Sequence, residues 1–153
     1  MSPACNPPAL EVGSECAKNG LMRKKILVVD DDAELVELIC FNLKQVGYAI
    51  GTASNGVDAI KKAHSLEPDL IILDVMMPEL DGFAVCEILR RDINTASIPI
   101  MMLTAISSEL GRLAALGSGA TDFVTKPFSP RILVSRIENL LKKASVLAQT
   151  SAS

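Results

Sequence analysis

Residues 26–32 read ILVVDDD, an uninterrupted apolar run followed directly by three carboxylates. Such a run suits a strand that is buried on both faces, which is typical of a parallel sheet. Residues 70–73 (LIIL) repeat the pattern, and Asp74 follows them in the same way. Two buried strands that each end in a carboxylate predict one sheet edge at which acidic side chains meet.

The rest of the chain alternates short apolar runs with amphipathic stretches. Leu35, Ile39 and Leu43 recur at helical spacing before Gly47, which suits the end of a first helix. Strands are predicted at 26–29, 48–53, 70–73, 98–103 and 121–125, and further helices at 57–67, 82–92, 107–116 and 129–144. This alternation favours parallel βαβ units. We therefore predict an α/β fold, a doubly wound five-stranded parallel sheet with five helices.

The composition indicates one well-packed domain. The chain has 153 residues, 15 of them basic and 18 acidic, so its net charge is −3, and 49% of its residues are hydrophobic. This balance argues against a surface that coats nucleic acid. No apolar run approaches the roughly 18 residues that a membrane span needs. We expect neither direct nucleic-acid contact from this chain nor membrane insertion.

Three segments are predicted along the chain. Residues 1–22 mix Pro, Gly, Ser and Asn without periodicity and suggest a flexible N-terminal extension. Residues 23–144 carry the patterned domain, and residues 145–153 form a short C-terminal tail. Because residues 1–22 lack the apolar segment of a secretory signal, we expect a cytoplasmic location.

The cysteines and the single histidine argue against two common kinds of site. No pair of cysteines has CxxC spacing, so a zinc site is not expected. His64 lies in a predicted surface helix, which disfavours a Ser–His or Cys–His nucleophile. Cys40 and Cys86 fall within helical patterns and are interpreted as small core residues.

Polar side chains follow four of the predicted strands. They are Asp30, Asp31 and Asp32 after the first strand, Asp74 after the third, Thr104 after the fourth and Lys126 after the fifth. Open parallel sheets place functional sites outside the carboxyl ends of their strands. Converging carboxylates repel one another unless a cation neutralises them, and oxygen ligands suit Mg²⁺. We predict a Mg²⁺ site with one carboxylate free to act as a nucleophile, while Asp32 caps the following helix.

Four motifs in this order resemble those of the receiver domain of two-component response regulators. They are VVDDDAEL (28–35), LDVMMPELDG (73–82), MLTA (102–105) and TKPFSP (125–130). The similarity covers about Lys25 to about Lys143. It implies the flavodoxin-like strand order 2-1-3-4-5 and a phosphorelay signalling switch rather than a turnover enzyme.

The resemblance assigns roles in phosphoryl transfer to the matched residues. Asp74 matches the phosphoacceptor, which takes a phosphoryl group from a histidine kinase or a phosphotransfer protein. Asp30 and Asp31 match the acidic pair that binds Mg²⁺ together with Asp74. The backbone carbonyl of Met76 matches a further protein ligand of the metal.

The resemblance also implies a switch. Thr104 matches the hydroxyl that hydrogen-bonds the phosphoryl oxygen, and Lys126 matches the lysine that pairs with the phosphate. The Lys126–Pro127 bond is then expected to be cis. Phe123 occupies the aromatic switch position and lacks the phenolic hydroxyl of relatives with tyrosine there.

A partner face is implied on the predicted helix 107–116, the fifth strand and the last helix. The matched positions are apolar Leu113, Leu116 and Val134, the pair Asp122 and Arg136, and Ile132 in place of a usual glutamate. In the transcription-factor branch of the family, such a patch and such an interchain pair form a dimer. We expect a phosphorylation-favoured contact here, with a second copy or with a partner, and ordinary core packing is the alternative.

Other functions remain open at this point. A degenerate receiver could act only as an interaction scaffold, although the complete set of matched site residues argues against it. A Mg²⁺-dependent phosphatase of the haloacid-dehalogenase kind would need a second aspartate where Met76 stands. A flavin carrier of similar fold would need aromatic loops, and the chain has no Trp and one Tyr.

Overall fold

The computed structural model describes residues 23–105, 113–114 and 117–152. Its strands are β1 (Lys25–Val29), β2 (Ala49–Ala53), β3 (Leu70–Asp74), β4 (Ile100–Thr104) and β5 (Asp122–Thr125). Its helices are α1 (Ala33–Val46), α2 (Gly56–Leu66), α3 (Gly82–Arg91) and α4 (Pro130–Ala152). The predicted helix 107–116 lies outside the described residues except at 113–114, and the extension 1–22 lies wholly outside them.

The strands form one parallel sheet in the order β2-β1-β3-β4-β5, which confirms the predicted fold class and strand order. In the register, Val29 pairs with Leu73, and Asp74 pairs with Leu103. Thr104 pairs with Thr125 at the same edge. The carboxyl ends of β1, β3, β4 and β5 therefore lie side by side.

Two apolar cores cover the two faces of the sheet. Side chains alternate along β1, so that Leu27 faces one core and Ile26 the other. Helices α2 and α3 pack on the first core, and α1 and α4 on the second. Cys86 belongs to the first and Cys40 to the second, and both are buried core residues, as predicted.

Two predicted boundaries need correction. The last helix does not stop at 144, because it continues through most of the predicted tail to Ala152. Residues 145–152 (SVLAQTSA) contain neither the glycine nor the proline that commonly ends a helix. The fourth strand begins at Ile100, after Pro99, and includes Thr104.

Short polar side chains cap the helices that start near the functional edge. Asp32 accepts hydrogen bonds from the amides of Glu34 and Leu35 at 3.1 and 3.3 Å, as predicted for a cap. Asp81 caps α3 through the amide of Ala84 at 2.9 Å. Because Asp32 serves α1 in this way, Asp30 and Asp31 are left for the sheet edge.

The first residue of α3 packs directly on the backbone that carries Asp74. The Gly82 amide donates to the carbonyl of Val75 at 3.0 Å. A Cβ at position 82 would lie 2.4 Å from the Asp74 carbonyl oxygen and 2.8 Å from the Val75 Cα. Glycine is required here because the opposing atoms are backbone and cannot move aside.

We predict that Gly82→Ala destabilises the protein by about 1–3 kcal/mol, the usual cost of overpacking a close contact. Gly117→Ala is the matched control, since a Cβ there meets nothing within 4 Å, and its effect should stay within about 0.5 kcal/mol. Urea denaturation of both variants measures the free energy of unfolding. Equal effects would show that the contact between α3 and β3 is not tight.

Candidate functional site

Three carboxylates meet at the carboxyl edge of the sheet. Asp30 follows β1, and Asp74 ends β3. Together with Asp31 they offer oxygen atoms that all lie within 4.8 Å of one another. Asp30 and Asp74 are each only 2% exposed, whereas Asp31 is open to solvent. The structure thus brings together the acids that the strand pattern placed at one edge.

Lys126 joins the two buried carboxylates. Its Nζ lies 2.9 Å from Asp74 Oδ1 and 3.3 Å from Asp30 Oδ2. The Lys126 amide donates to the Thr104 carbonyl at 2.7 Å, which continues the pairing of β4 and β5. The Lys126–Pro127 peptide bond is cis. The cluster therefore contains three carboxylates, counting Asp31, and one ammonium group, which leaves it with excess negative charge.

Burial dominates the protonation equilibria of this cluster. Desolvation raises the pKa of Asp74, although the hydrogen bond and charge of Lys126 oppose the shift. Desolvation also raises the pKa of Asp30 against the opposing hydrogen bond from the Asp32 amide. Burial disfavours the charge on Lys126, but its contacts with the two carboxylates outweigh this, and its pKa is raised. Lys126 alone therefore does not fully compensate the buried carboxylates.

The donor set fits a hard divalent cation. Carboxylate oxygens grouped at one partly open position suit Mg²⁺, which keeps several waters and takes one or two carboxylates. Met76 follows on the same loop, and a backbone contact of Met76 lowers the pKa of the Asp74 carboxyl against the effect of burial. The sequence did not predict this contact, because the direction of a backbone amide depends on the turn after β3.

The two predicted switch residues lie on neighbouring strands. Thr104 is 2% exposed at the end of β4, one residue beyond the partner of Asp74 in the register. Phe123 lies on β5 opposite Met102 and packs partly buried against the first core. Thr104 therefore adjoins the acid cluster, while Phe123 lies on the neighbouring strand β5, two residues before Thr125, the partner of Thr104.

The residues of the predicted partner face have different environments. Leu113 and Ile132 are 55% and 54% exposed, whereas Val134 packs against the second core. Arg136 Nη1 lies 3.1 Å from Asp122 Oδ2 in the same chain. The ion pair that was expected between two chains therefore forms within one chain here. Leu116 lies outside the described residues.

His64 takes no part in the acid cluster. It lies exposed on α2, as predicted, where its Nδ1 contacts the Ile60 carbonyl at 2.9 Å and its Nε2 contacts Asp92 at 2.6 Å. The bond to Ile60 and the contact with Asp92 raise the pKa of His64. This pair links α2 to the end of α3.

The comparison with protein families identifies the domain. Residues 26–138 match the response regulator receiver domain. The chain belongs to this family. The match confirms the resemblance carried by the four sequence motifs, and it establishes a receiver domain of a two-component signalling system.

Curated relatives include transcriptional regulators. The chain is 47% identical over 130 residues to the alkaline phosphatase synthesis transcriptional regulatory protein PhoP of Bacillus subtilis, covering 85% of this chain and 53% of the relative. It is 40% identical over 127 residues to the DNA-binding dual master transcriptional regulator RpaA of Synechocystis, covering 83% and 53%. The chain spans about half the length of the curated relatives it matches.

Solved structures of receiver domains superpose on the same fold. The chemotaxis protein CheY4 of Vibrio cholerae has a TM-score of 0.73 at 32% identity, covering 76% of this chain and 98% of that one. The receiver domain of the Francisella response regulator 1452 has a TM-score of 0.75 at 33% identity, covering 79% and 98%.

Membrane insertion and nucleic-acid contact are the two remaining expectations about the surroundings of the protein. Among the helices in the described ranges, none is both long and apolar enough to cross a bilayer. The name of RpaA states that it binds DNA, so the expectation that this chain itself makes no nucleic-acid contact stays a prediction.

We predict that Asp74→Asn stabilises the metal-free protein at pH 7 by on the order of 1 kcal/mol. Desolvation raises the folded-state pKa of Asp74 above its ordinary value, so its ionisation costs stability as the pH rises through the folded-state pKa. The gain should disappear below about pH 3, where the carboxyl is protonated in both the folded and the unfolded state. Urea denaturation in EDTA at both pH values measures it.

Asp58→Asn is the control, because Asp58 forms only an exposed pair with Lys62 at 3.3 Å. Asp58→Asn should change the free energy of unfolding at pH 7 by less than about 0.5 kcal/mol. A less stable Asp74→Asn protein at pH 7 would mean that the bond to Lys126 outweighs the cost of burial.

Proposed function

We propose that Asp74 accepts a phosphoryl group from the phosphohistidine of a histidine kinase or phosphotransfer protein, in a reaction that depends on Mg²⁺. The observation that supports this most directly is a buried carboxylate held 2.9 Å from a lysine, within an acid cluster that needs further positive charge. Phosphoryl transfer depends on positioning and charge neutralisation, and this geometry supplies both.

The chemical step needs one nucleophile and one leaving group. A carboxylate oxygen of Asp74 attacks phosphorus, the P–N bond of the donor breaks, and its electron pair returns to the imidazole. The product is an acyl phosphate on the side chain of Asp74. When bound, Mg²⁺ supplies positive charge that offsets the charge of the phosphoryl oxygens.

The protein's own residues prepare and then hold this product. Asp30, Asp31 and the Met76 carbonyl would hold the metal beside Asp74. Lys126 already lies within 3.3 Å of Asp30 and Asp74, so a small displacement lets it pair with a phosphoryl oxygen. The Thr104 hydroxyl donates to another oxygen from the adjoining strand.

Occupation of the site would alter the neighbouring strands. Movement of Thr104 and Lys126 toward the new charge pulls on the ends of β4 and β5. Phe123 lies on β5 and takes up that change through its packing, because it has no hydroxyl to bond at the surface. We also propose a cytoplasmic location, whose reducing conditions would keep the buried thiols of Cys40 and Cys86 unoxidised.

The domain is a signalling module, and we propose that its own chemistry is limited to accepting the phosphoryl group and losing it slowly. The phosphatase alternative would require turnover of added phosphate esters. The scaffold alternative would require that Asp74 stays unmodified with every donor. The ion pairs of Lys126 support the phosphoacceptor function over both.

The partner face supports a second proposal, a dimer favoured by phosphorylation. Ile132 and Leu113 are more than half exposed, and Asp122 and Arg136 pair close to Phe123, with Arg136 Nη1 3.4 Å from its carbonyl. Dimer formation would exchange this pair between chains. The site on Asp74 and this face would then be linked through β5.

We predict that incubation with Mg²⁺ and acetyl phosphate adds one phosphoryl mass to the intact protein. Asp74→Asn and omission of Mg²⁺ should each abolish the addition, whereas Asp58→Asn should leave it unchanged. Intact-mass spectrometry reads the result directly. No added mass with any donor would favour the scaffold function, and phosphate release that continues through many turnovers would favour a phosphatase.

For the dimer, sedimentation velocity with Mg²⁺ and beryllofluoride should show a rise toward twice the monomer mass. Arg136→Asp should lower dimer formation by placing like charges together, and the swap Asp122→Arg with Arg136→Asp should restore it. An unchanged monomer with bound beryllofluoride would overturn this proposal without affecting the phosphoacceptor function.

A further inference from the structure

The four methionines in the described part of the chain differ sharply in access to solvent. Met76 is 65% exposed, whereas Met77 is 7% exposed. Met101 and Met102 are fully buried in β4 at 0%. Oxidation of a thioether requires contact with the oxidant, so a dissolved peroxide should reach Met76 first.

Met76 combines this exposure with a constrained backbone next to Asp74. Its chain neighbours Val75 and Met77 are buried in the first core, and its backbone lies close enough to the Asp74 carboxyl to lower the pKa of that group. The exposed side chain therefore leaves a loop that is fixed by buried neighbours, two residues from the nucleophile. A chemical change in this side chain occurs beside the reactive carboxylate.

We propose that Met76 is a site of oxidation by a hydroperoxide, and that its sulfoxide shortens the lifetime of the phosphoryl group on Asp74. The second half of this inference rests on the proposed phosphoacceptor function. The first half, selective oxidation, stands on the exposure of the thioether alone.

The oxidation is a two-electron step with hydrogen peroxide as the co-reactant. A lone pair on the Met76 sulfur attacks one peroxide oxygen, an S–O bond forms and the O–O bond breaks. The sulfur is oxidised to a sulfoxide, and the peroxide is reduced to one water molecule that carries both of its protons. No other reagent is needed.

The sulfoxide and the thioether differ in how strongly they form hydrogen bonds with water. The thioether is apolar and only a weak hydrogen-bond acceptor, so it binds water weakly. The sulfoxide oxygen is a polar acceptor on a side chain of nearly the same size. It can hold a water molecule near the acyl phosphate, and water is the nucleophile that removes the phosphoryl group.

The first measurement is peptide mapping after brief treatment of the full chain with hydrogen peroxide. We expect Met76 to be oxidised at least about tenfold faster than Met77, Met101 or Met102, following their access to the oxidant. Equal rates at Met76 and Met77 would overturn the inference, since these neighbours share sequence context and differ in burial.

The second measurement compares the decay of the phosphorylated protein before and after peroxide treatment, by intact-mass spectrometry. We expect oxidised protein to lose its phosphoryl group several-fold faster. Met76→Leu keeps the backbone carbonyl and every other methionine but has no sulfur, so peroxide should not change its decay.

The outcomes separate this inference from the function on which it rests. Unchanged decay after complete oxidation of Met76, or the same peroxide effect in Met76→Leu, overturns the regulatory proposal and leaves the phosphoacceptor function intact. Failure of untreated protein to take up any phosphoryl group overturns the function and the regulatory proposal together, while the peptide map still decides whether Met76 is the preferred oxidation site.

Discussion

The burial of two carboxylates, Asp30 and Asp74, beside one ammonium group is the constraint on which the rest of the structure depends. Burial raises the pKa of both acids, and the exposed carboxylate of Asp31 adds negative charge within 4.8 Å. Lys126 relieves part of this cost through contacts at 2.9 and 3.3 Å. A site that is short of positive charge in its resting form is suited to take up a divalent cation, and the metal then offsets the charge of an incoming phosphoryl group.

The fold positions the acid cluster because the parallel strands end at the same edge of the sheet. Parallel pairing places Asp74 beside Leu103 and Thr104 beside Thr125, so groups far apart in the chain meet without long loops. Asp32 takes over the capping of α1. Gly82 lets α3 start against the backbone of β3, where any side chain would collide with the Asp74 carbonyl. The site therefore depends on backbone packing as much as on its charged side chains.

The apolar pattern allowed the fold class and the convergence of acids at one sheet edge to be predicted, because buried strands have a strong apolar signature and parallel strands end together. The strand order was implied by the resemblance to receiver domains. The sequence did not predict that α4 continues to Ala152, since the absence of a helix terminator is weaker evidence than its presence. Nor did it predict that Arg136 and Asp122 pair within one chain, because sequence matches to a family do not distinguish partners in the same chain from partners in another. The exposure of Met76 beside buried Met77 also required the three-dimensional course of the loop after β3.

The proposed mechanism requires that Lys126 and Thr104 move toward a phosphoryl group on Asp74. A crystal structure with Mg²⁺ and beryllofluoride tests it most directly, because beryllofluoride on a carboxylate mimics the acyl phosphate. We expect beryllium on an oxygen of Asp74, with Lys126 Nζ and the Thr104 hydroxyl each bonded to a fluorine. Lys126 should also have left its position 3.3 Å from Asp30. Beryllofluoride bound elsewhere, or bound to Asp74 with Lys126 and Thr104 unmoved, would contradict the account.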